Sequence, residues 1–344
     1  MILRYIFIFS LGLAYFITPL IIRLARKTNV LDHPDPRKVH ARPMPLLGGV
    51  VIYIAFLLPL LPLISTSHYL QGVIIAASLI FITGLIDDIR KLSAFTRLIV
   101  QIAAALILIK YGIQVSFLPQ GPVGDAIECF LTIVWVVGIT NAMNCLDGID
   151  GLLSSIGIVT GACFFALAYQ TNQLWLGCVA IALVGSLLGF LRYNFSPAKI
   201  FLGDAGSTLI GFLLSSIALL GNWAQDSKVS LLVPVLILGV PIFDMCFTTV
   251  MRVREGLVRN VAQWLHYAGK DHFHHRLLDL GLGPRGATIL ISSVSFCLGI
   301  SALALRKTDL QIAFLLLAQA AIVFIIIAIL MVAGTMARKE KAKL

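Results

Sequence analysis

Apolar residues fill this chain in long unbroken blocks, separated by short polar breaks in which glycine, proline and a few charges concentrate. A helix needs about 20 apolar residues to cross about 30 Å of hydrocarbon. On that scale the blocks predict ten or eleven spans, near 2–22, 46–64, 69–86, 97–113, 128–143, 153–169, 174–191, 206–221, 230–251, 287–305 and 310–335. None of them alternates with period two, and lipid accepts only helices or closed barrels. The expected fold is therefore an all-α polytopic membrane protein, a single domain over 1–344. Its polar loops fall near 23–45, 87–97, 144–152, 192–205 and 252–286.

Composition excludes a soluble alternative: 59% of residues are hydrophobic and 12% are charged, with a mean hydropathy of +0.97. The first block is followed, not preceded, by basic residues and lacks a small-x-small cleavage site, so it reads as a retained span. Placing the five loops and the tail after 335 on one side gives that side 21 of the 26 Lys and Arg. This imbalance makes it the cytoplasmic side of an inner membrane, with the C-terminus inside. The bilayer is an expected partner and nucleic acid is not; a homodimer is compatible with the sequence. Cys129, Cys145, Cys163, Cys178, Cys246 and Cys297 form no CxxC pair and read as small buried hydrophobes. Gly157/Gly161 and Gly185/Gly189 read as helix-packing pairs.

The chemistry lies in the breaks. Acids at a membrane boundary are expensive and mark functional sites by default. Asp87 and Asp88 end the third block; Asp147 and Asp150 follow Asn144 in N-C-L-D-G-I-D-G; Asp204 sits in the stretch from Asn194 to Ser207, N-F-S-P-A-K-I-F-L-G-D-A-G-S. Each has a bland reading as a solvated boundary charge or helix-entrance acid, and Ser207 as a helix cap. The orientation puts all of them on one side. Acids and asparagines without thiolates or clustered imidazoles describe a hard-cation site, for Mg2+, with Mn2+ serving the same donors. Asp244, inside the ninth block, reads as a structural partner at least as readily as a catalytic acid.

The same side carries cations. Lys38, His40 and Arg42 lie in a proline-stiffened loop that reads equally as a basic flank or as a shaped anion-binding segment. His272, His274, His275 and Arg276 cluster in the largest loop, and phosphate contact suits them better than metal ligation.

Four ordered blocks then carry a resemblance: RKVHARPMPLLGG at 37–49, DDIRKLSA at 87–94, TNAMNCLDGIDGL at 140–152 with NFSPAKIFLGDAGS at 194–207, and HFHHRL at 272–277. The chain resembles the polyprenyl-phosphate N-acetylhexosamine-1-phosphate transferases of glycosyltransferase family 4, most closely the bacterial branch acting on undecaprenyl phosphate. The resemblance implies that Asp87 and Asp88 are the essential acid pair and that Asn144 and Asp204 hold Mg2+. It further implies that Asp147, Asp150 and Asn194 line the nucleotide-sugar pocket and that His274 and His275 contact the nucleotide diphosphate. Some relatives carry an acid where this chain has Lys91, and its loop between Arg252 and His272 is long and aromatic.

The implied reaction moves N-acetylhexosamine 1-phosphate, expected to be N-acetylglucosamine 1-phosphate, from a UDP-N-acetyl sugar to undecaprenyl phosphate, releasing UMP. Such a product initiates cell-envelope polysaccharide synthesis. The rival reading, a secondary transporter of an anionic substrate, expects acids near the midplane and paired broken helices.

Overall fold

The computed structural model describes residues 1–34, 42–260, 263–264, 267 and 269–341, with the side chains of 227 and 335–341 excepted. Among the described residues thirteen α-helices follow in chain order: α1 Ile2–Lys27, α2 Gly48–Leu57, α3 His68–Arg90, α4 Ala94–Lys110, α5 Pro122–Leu146, α6 Leu152–Gln170, α7 Leu174–Asn194, α8 Gly203–Leu220, α9 Ser227–Ile237, α10 Gly239–Arg254, α11 Phe273–Asp279, α12 Pro284–Ala304 and α13 Leu310–Lys341. Nine segments among the described residues are long and apolar enough to cross a membrane. α4, with 17 residues, sits at the short end of the spanning range of about 17–25.

Two expected spans take forms the hydropathy pattern does not show. The second continues beyond α2 as a 3-10 run, Leu58–Thr66, because Pro59 and Pro62 each remove a backbone donor and crowd the preceding turn. The ninth is broken: α9 and α10 meet at 73° around Leu238, where Pro234, Gly239 and Pro241 weaken helix continuity.

The bundle is organised around α8, 78% buried, whereas Leu310–Gly334 of α13 is only 11% buried and presents an apolar surface. α8 packs between α3 and α5, while α7 joins α1, α2 and α6. Small residues permit these approaches. A Cβ on Gly185 would stand 2.8 Å from the Phe7 carbonyl oxygen, and one on Gly157 would stand 2.8 Å from Leu187 Cδ1. Both glycine pairs therefore pack helices as expected. Among the cysteines, Cys163 and Cys178 are buried, but Cys246 and Cys297 are exposed on the bundle's outer surface. The expectation of small buried hydrophobes therefore holds for Cys163 and Cys178 and fails for Cys246 and Cys297.

At one end of the bundle the connections interlock. Leu31–Asp32 pairs antiparallel with Met44–Pro45, Leu31 opposite Pro45 and Asp32 opposite Met44. The strand exit is tied to the turn before α8: Phe201 N donates to the Pro45 carbonyl at 2.9 Å, and Gly48 N and Gly49 N donate to the carbonyls of Phe201 (2.9 Å) and Leu202 (2.8 Å). Helix N-termini leave donors without intrahelical partners, and here the α7–α8 turn accepts them.

Candidate active site

Asp88 explains why α8 begins where it does. Its Oδ1 accepts Asp204 N at 2.7 Å and its Oδ2 accepts Ala205 N at 3.1 Å, so a carboxylate from α3 caps the start of α8, where anions are favoured. Gly203 makes room: its φ is +71°, and a Cβ there would lie 2.5 Å from Asp88 Oδ2. Helix α8 starts three residues ahead of the expected 206, which places Ser207 inside the first turns rather than at the cap. The Ser207 hydroxyl donates to Asn144 Oδ1 at 2.5 Å, fixing the end of α5 against α8.

Asp87, beside Asp88, turns into protein. Its Oδ1 accepts Leu92 N at 2.5 Å, and its Oδ2 accepts Arg97 Nη1 at 3.0 Å. The same Nη1 stands 3.7 Å from Asp204 Oδ1, so Arg97 links the third and eighth helices through two acids.

Gly151, at φ +72°, turns the chain from α5 into α6 and carries Asp147 and Asp150 to the same end of the bundle. Asp150 Oδ2 accepts Ala198 N at 2.9 Å. Asn194 is a strut: Oδ1 accepts the Ser154 hydroxyl at 2.8 Å and Nδ2 donates to the Ile200 carbonyl at 3.0 Å.

The histidine segment is held by buried charges. Asp244 Oδ2 accepts His272 Nδ1 at 2.8 Å, and its Oδ1 accepts Phe273 N at 2.6 Å. Arg252 forks onto Asp271 at 2.6 and 2.8 Å, and that ion pair, set against burial, holds the Asp271 carboxyl below its usual range. Of the two roles the sequence left open for Asp244, these contacts are those of a structural partner. His274 is buried against Gly148 with neither ring nitrogen hydrogen-bonded; burial and the neighbouring imidazoles keep it neutral. His275, 4.2 Å from the His274 ring, is lowered by burial and by His272 and Lys270.

These turns enclose one cavity of about 710 Å³, within the size range of small-molecule sites. Asp32, Asp88, Asp147, Asp150 and Asp204 line it together with Asn144, Asn194, Lys91 and His275. Burial first, and then Asp204, Asp150 and Asp32, push the Asp147 carboxyl up to about 7. Among the described residues no three Asp, Glu, His or Cys side chains converge on a single ion position. Mg2+ does not need three, because it is commonly held by one or two carboxylates with waters and substrate phosphates. Asp204, Asp88 and Asn144 supply such a hard-oxygen set, and the surplus of negative charge fits a cation.

The structure thus brings Asp88, Asn144, Asp147, Asp150, Asn194, Asp204 and His275 to one cavity. Asp87, His272, His274 and Arg276 lie behind its wall: Arg276 Nε donates to the Asp271 carbonyl at 2.8 Å and its guanidinium lies over Phe247. Arg42 is exposed before the Met44–Pro45 strand and is not among the lining residues. Lys38 and His40 lie outside the described residues. Asp32, Lys91 and Arg97 belong to the site without having been named as candidates; of the three, Lys91 alone was marked, as a departure from relatives that carry an acid there.

Fold and cavity together define a polytopic membrane protein with an acidic small-molecule site at one end. The family model for glycosyl transferase family 4 matches residues 70–222, the stretch from α3 to the end of α8. A probable undecaprenyl-phosphate N-acetylglucosaminyl 1-phosphate transferase of Bacillus subtilis (strain 168) is 33% identical over 317 residues, covering 90% of this chain and 87% of the relative. The decaprenyl-phosphate N-acetylglucosaminephosphotransferase of Mycobacterium tuberculosis (strain ATCC 25618 / H37Rv) is 33% identical over 314 residues, with 81% and 76% covered. The undecaprenyl-phosphate alpha-N-acetylglucosaminyl 1-phosphate transferase of Escherichia coli (strain K12) is 30% identical over 288 residues, with 78% and 75% covered. The chain belongs to glycosyl transferase family 4, among its polyprenyl-phosphate N-acetylhexosamine-1-phosphate transferases.

Proposed function

We propose that this enzyme transfers N-acetylglucosamine 1-phosphate from UDP-N-acetylglucosamine to undecaprenyl phosphate, with its cavity facing the cytoplasm of a bacterial cell. The observation that carries the reading is the convergence of five carboxylates, Asn144, Lys91 and His275 on one cavity. An oxygen of the acceptor phosphate attacks the phosphorus that bears the sugar, the bridging P–O bond of the diphosphate breaks, and UMP departs.

Two polyanions must meet, so positioning and charge compensation dominate the barrier. Asp204, Asn144 and Asp88 would hold a divalent ion, Mg2+ or Mn2+, whose charge offsets that of the phosphates. Asp87 acts by position in this account. Both its oxygens are engaged, by Leu92 N and Arg97, and a phosphate monoester is already largely dianionic at pH 7, since its second pKa is about 6. No strong base is required. Arg97, anchored by Asp87, stands beside Asp204, and the Asp244 and Arg252 pairs set His275 at the cavity wall.

A transporter would place its site at the helix break. Here the acid nearest that break, Asp244, is occupied by His272 and Phe273, and the cavity lies among helix ends. The test is a panel of UDP-N-acetyl sugars with undecaprenyl phosphate and Mg2+, reading released nucleotide. UMP released with the N-acetylglucosamine donor supports the reading; UDP release, or sugar uptake into proteoliposomes without UMP, overturns it.

A further inference from the structure

Lys91 closes α3 with φ +54° and ψ +96°. A helix that ends on a left-handed residue ordinarily uses glycine, or asparagine, because a Cβ is penalised there. The other two non-glycine residues with positive φ among those described are asparagines, Asn29 and Asn172. Lysine has no such excuse. It gains nothing as a cap that glycine would not give, since the bond that ends the helix, Lys91 N to the Asp87 carbonyl at 2.9 Å, is a backbone bond. Strained backbone that persists is a pointer to function.

Among the described residues, the side chain that this conformation places is the only Lys or Arg lining the acidic cavity. It forms no salt bridge among the described residues although its charge acts on Asp88 and Asp204. Arg97 is committed to Asp87, and Arg252 to Asp271. The exposed ammonium of Lys91 is therefore uncommitted, on a short strained turn, beside the acids.

We infer that Lys91 is a substrate-binding residue, its ammonium contacting a phosphate group of one of the two substrates, and that the left-handed turn is retained to deliver it. The inference rests on the proposed transfer reaction for the identity of those substrates, though not for the anion contact itself.

The prediction has opposite signs for stability and binding. Lys91→Gly relieves the backbone, so the thermal midpoint of the purified protein rises or holds, whereas KM for one substrate increases on the order of tenfold or more, as for a lost charged hydrogen bond. Lys91→Met keeps the stem and the strain, so KM increases without the thermal gain, and Lys91→Arg recovers part of the loss. Varying UDP-N-acetylglucosamine and undecaprenyl phosphate separately assigns the contact to the nucleotide diphosphate or to the lipid headgroup. Inorganic pyrophosphate is the activity-independent probe, stabilising the wild type against heating and failing to stabilise Lys91→Met. Wild-type KM for both substrates in Lys91→Gly and Lys91→Met overturns the inference and leaves the reaction intact. So does a lowered midpoint in Lys91→Gly, which would make the lysine a structural clamp. If the wild type releases no UMP, the transfer reading falls, and the pyrophosphate arm decides the anion contact alone.

Discussion

Removing Asp244 should release the histidine segment from the cavity. Its carboxylate is buried and accepts two short bonds, His272 Nδ1 at 2.8 Å and Phe273 N at 2.6 Å, which together dock the start of α11 onto α10. Asp244→Ala leaves both donors buried without an acceptor. Breaking a buried pair by deleting one partner costs about 3–5 kcal/mol, and about 1.4 kcal/mol is tenfold. The ratio of docked to undocked segment should therefore fall by a factor of hundreds to thousands. Asp244→Asn keeps a carbonyl acceptor for Phe273 N and loses the charge, so it should be milder. Set against burial, the hydrogen bond to Asp244 and its charge raise the His272 imidazole to about 10, so the contact is a buried ion pair. Hydrogen–deuterium exchange over 272–280 in nanodiscs, with KM for UDP-N-acetylglucosamine, reads the outcome. Faster exchange and a raised KM are expected in Asp244→Ala, graded through Asp244→Asn. Unchanged exchange with unchanged KM would refute the docking role.

Three further outcomes follow from the same geometry. Gly203→Ala meets both a left-handed φ, worth about 1–2 kcal/mol, and the Asp88 carboxylate, so activity should be lost while far-UV circular dichroism stays helical; an active variant would contradict the capping role of Asp88. Asp87→Asn should abolish UMP release and stay inactive at high pH, because its place is structural; activity recovering as pH rises would instead favour a base. Asp147 has a folded pKa of about 7 against an ordinary 3.8, so its contribution to stability is full below about pH 3.8 and is lost as pH rises through 7. Metal-free protein should show a falling thermal midpoint across that window, and Asp147→Asn should flatten it; an equally steep profile in the variant would remove Asp147 from the cause.

Much of this architecture is legible in the sequence. Hydropathy places the spans because lipid leaves the backbone no alternative to helix, and the acid breaks stand out because charge at a boundary is costly. What hydropathy does not resolve is continuity: the break at Leu238 lies within an apolar run, where Pro234, Gly239 and Pro241 act through backbone geometry and leave the apolar pattern intact. Side-chain direction was equally hidden. Asp87 and Asp88 are neighbours in sequence, yet helix geometry points one at Arg97 and the other at α8. Asn194 and Arg276 carry polar groups suited to a ligand, but tertiary contacts satisfy them internally. Lys91 stands out in the sequence only as a lysine where some relatives carry an acid, because its other peculiarity is a torsion angle.

Mn2+ titration of the purified protein, followed by electron paramagnetic resonance in the presence of UDP-N-acetylglucosamine, addresses the acidic cavity most directly. The account predicts one saturable ion per chain, with broadening from bound phosphate, abolished in Asp204→Asn and weakened in Asn144→Ala. An ion count and affinity unaffected by Asp204→Asn, or no saturable ion at all, would contradict it.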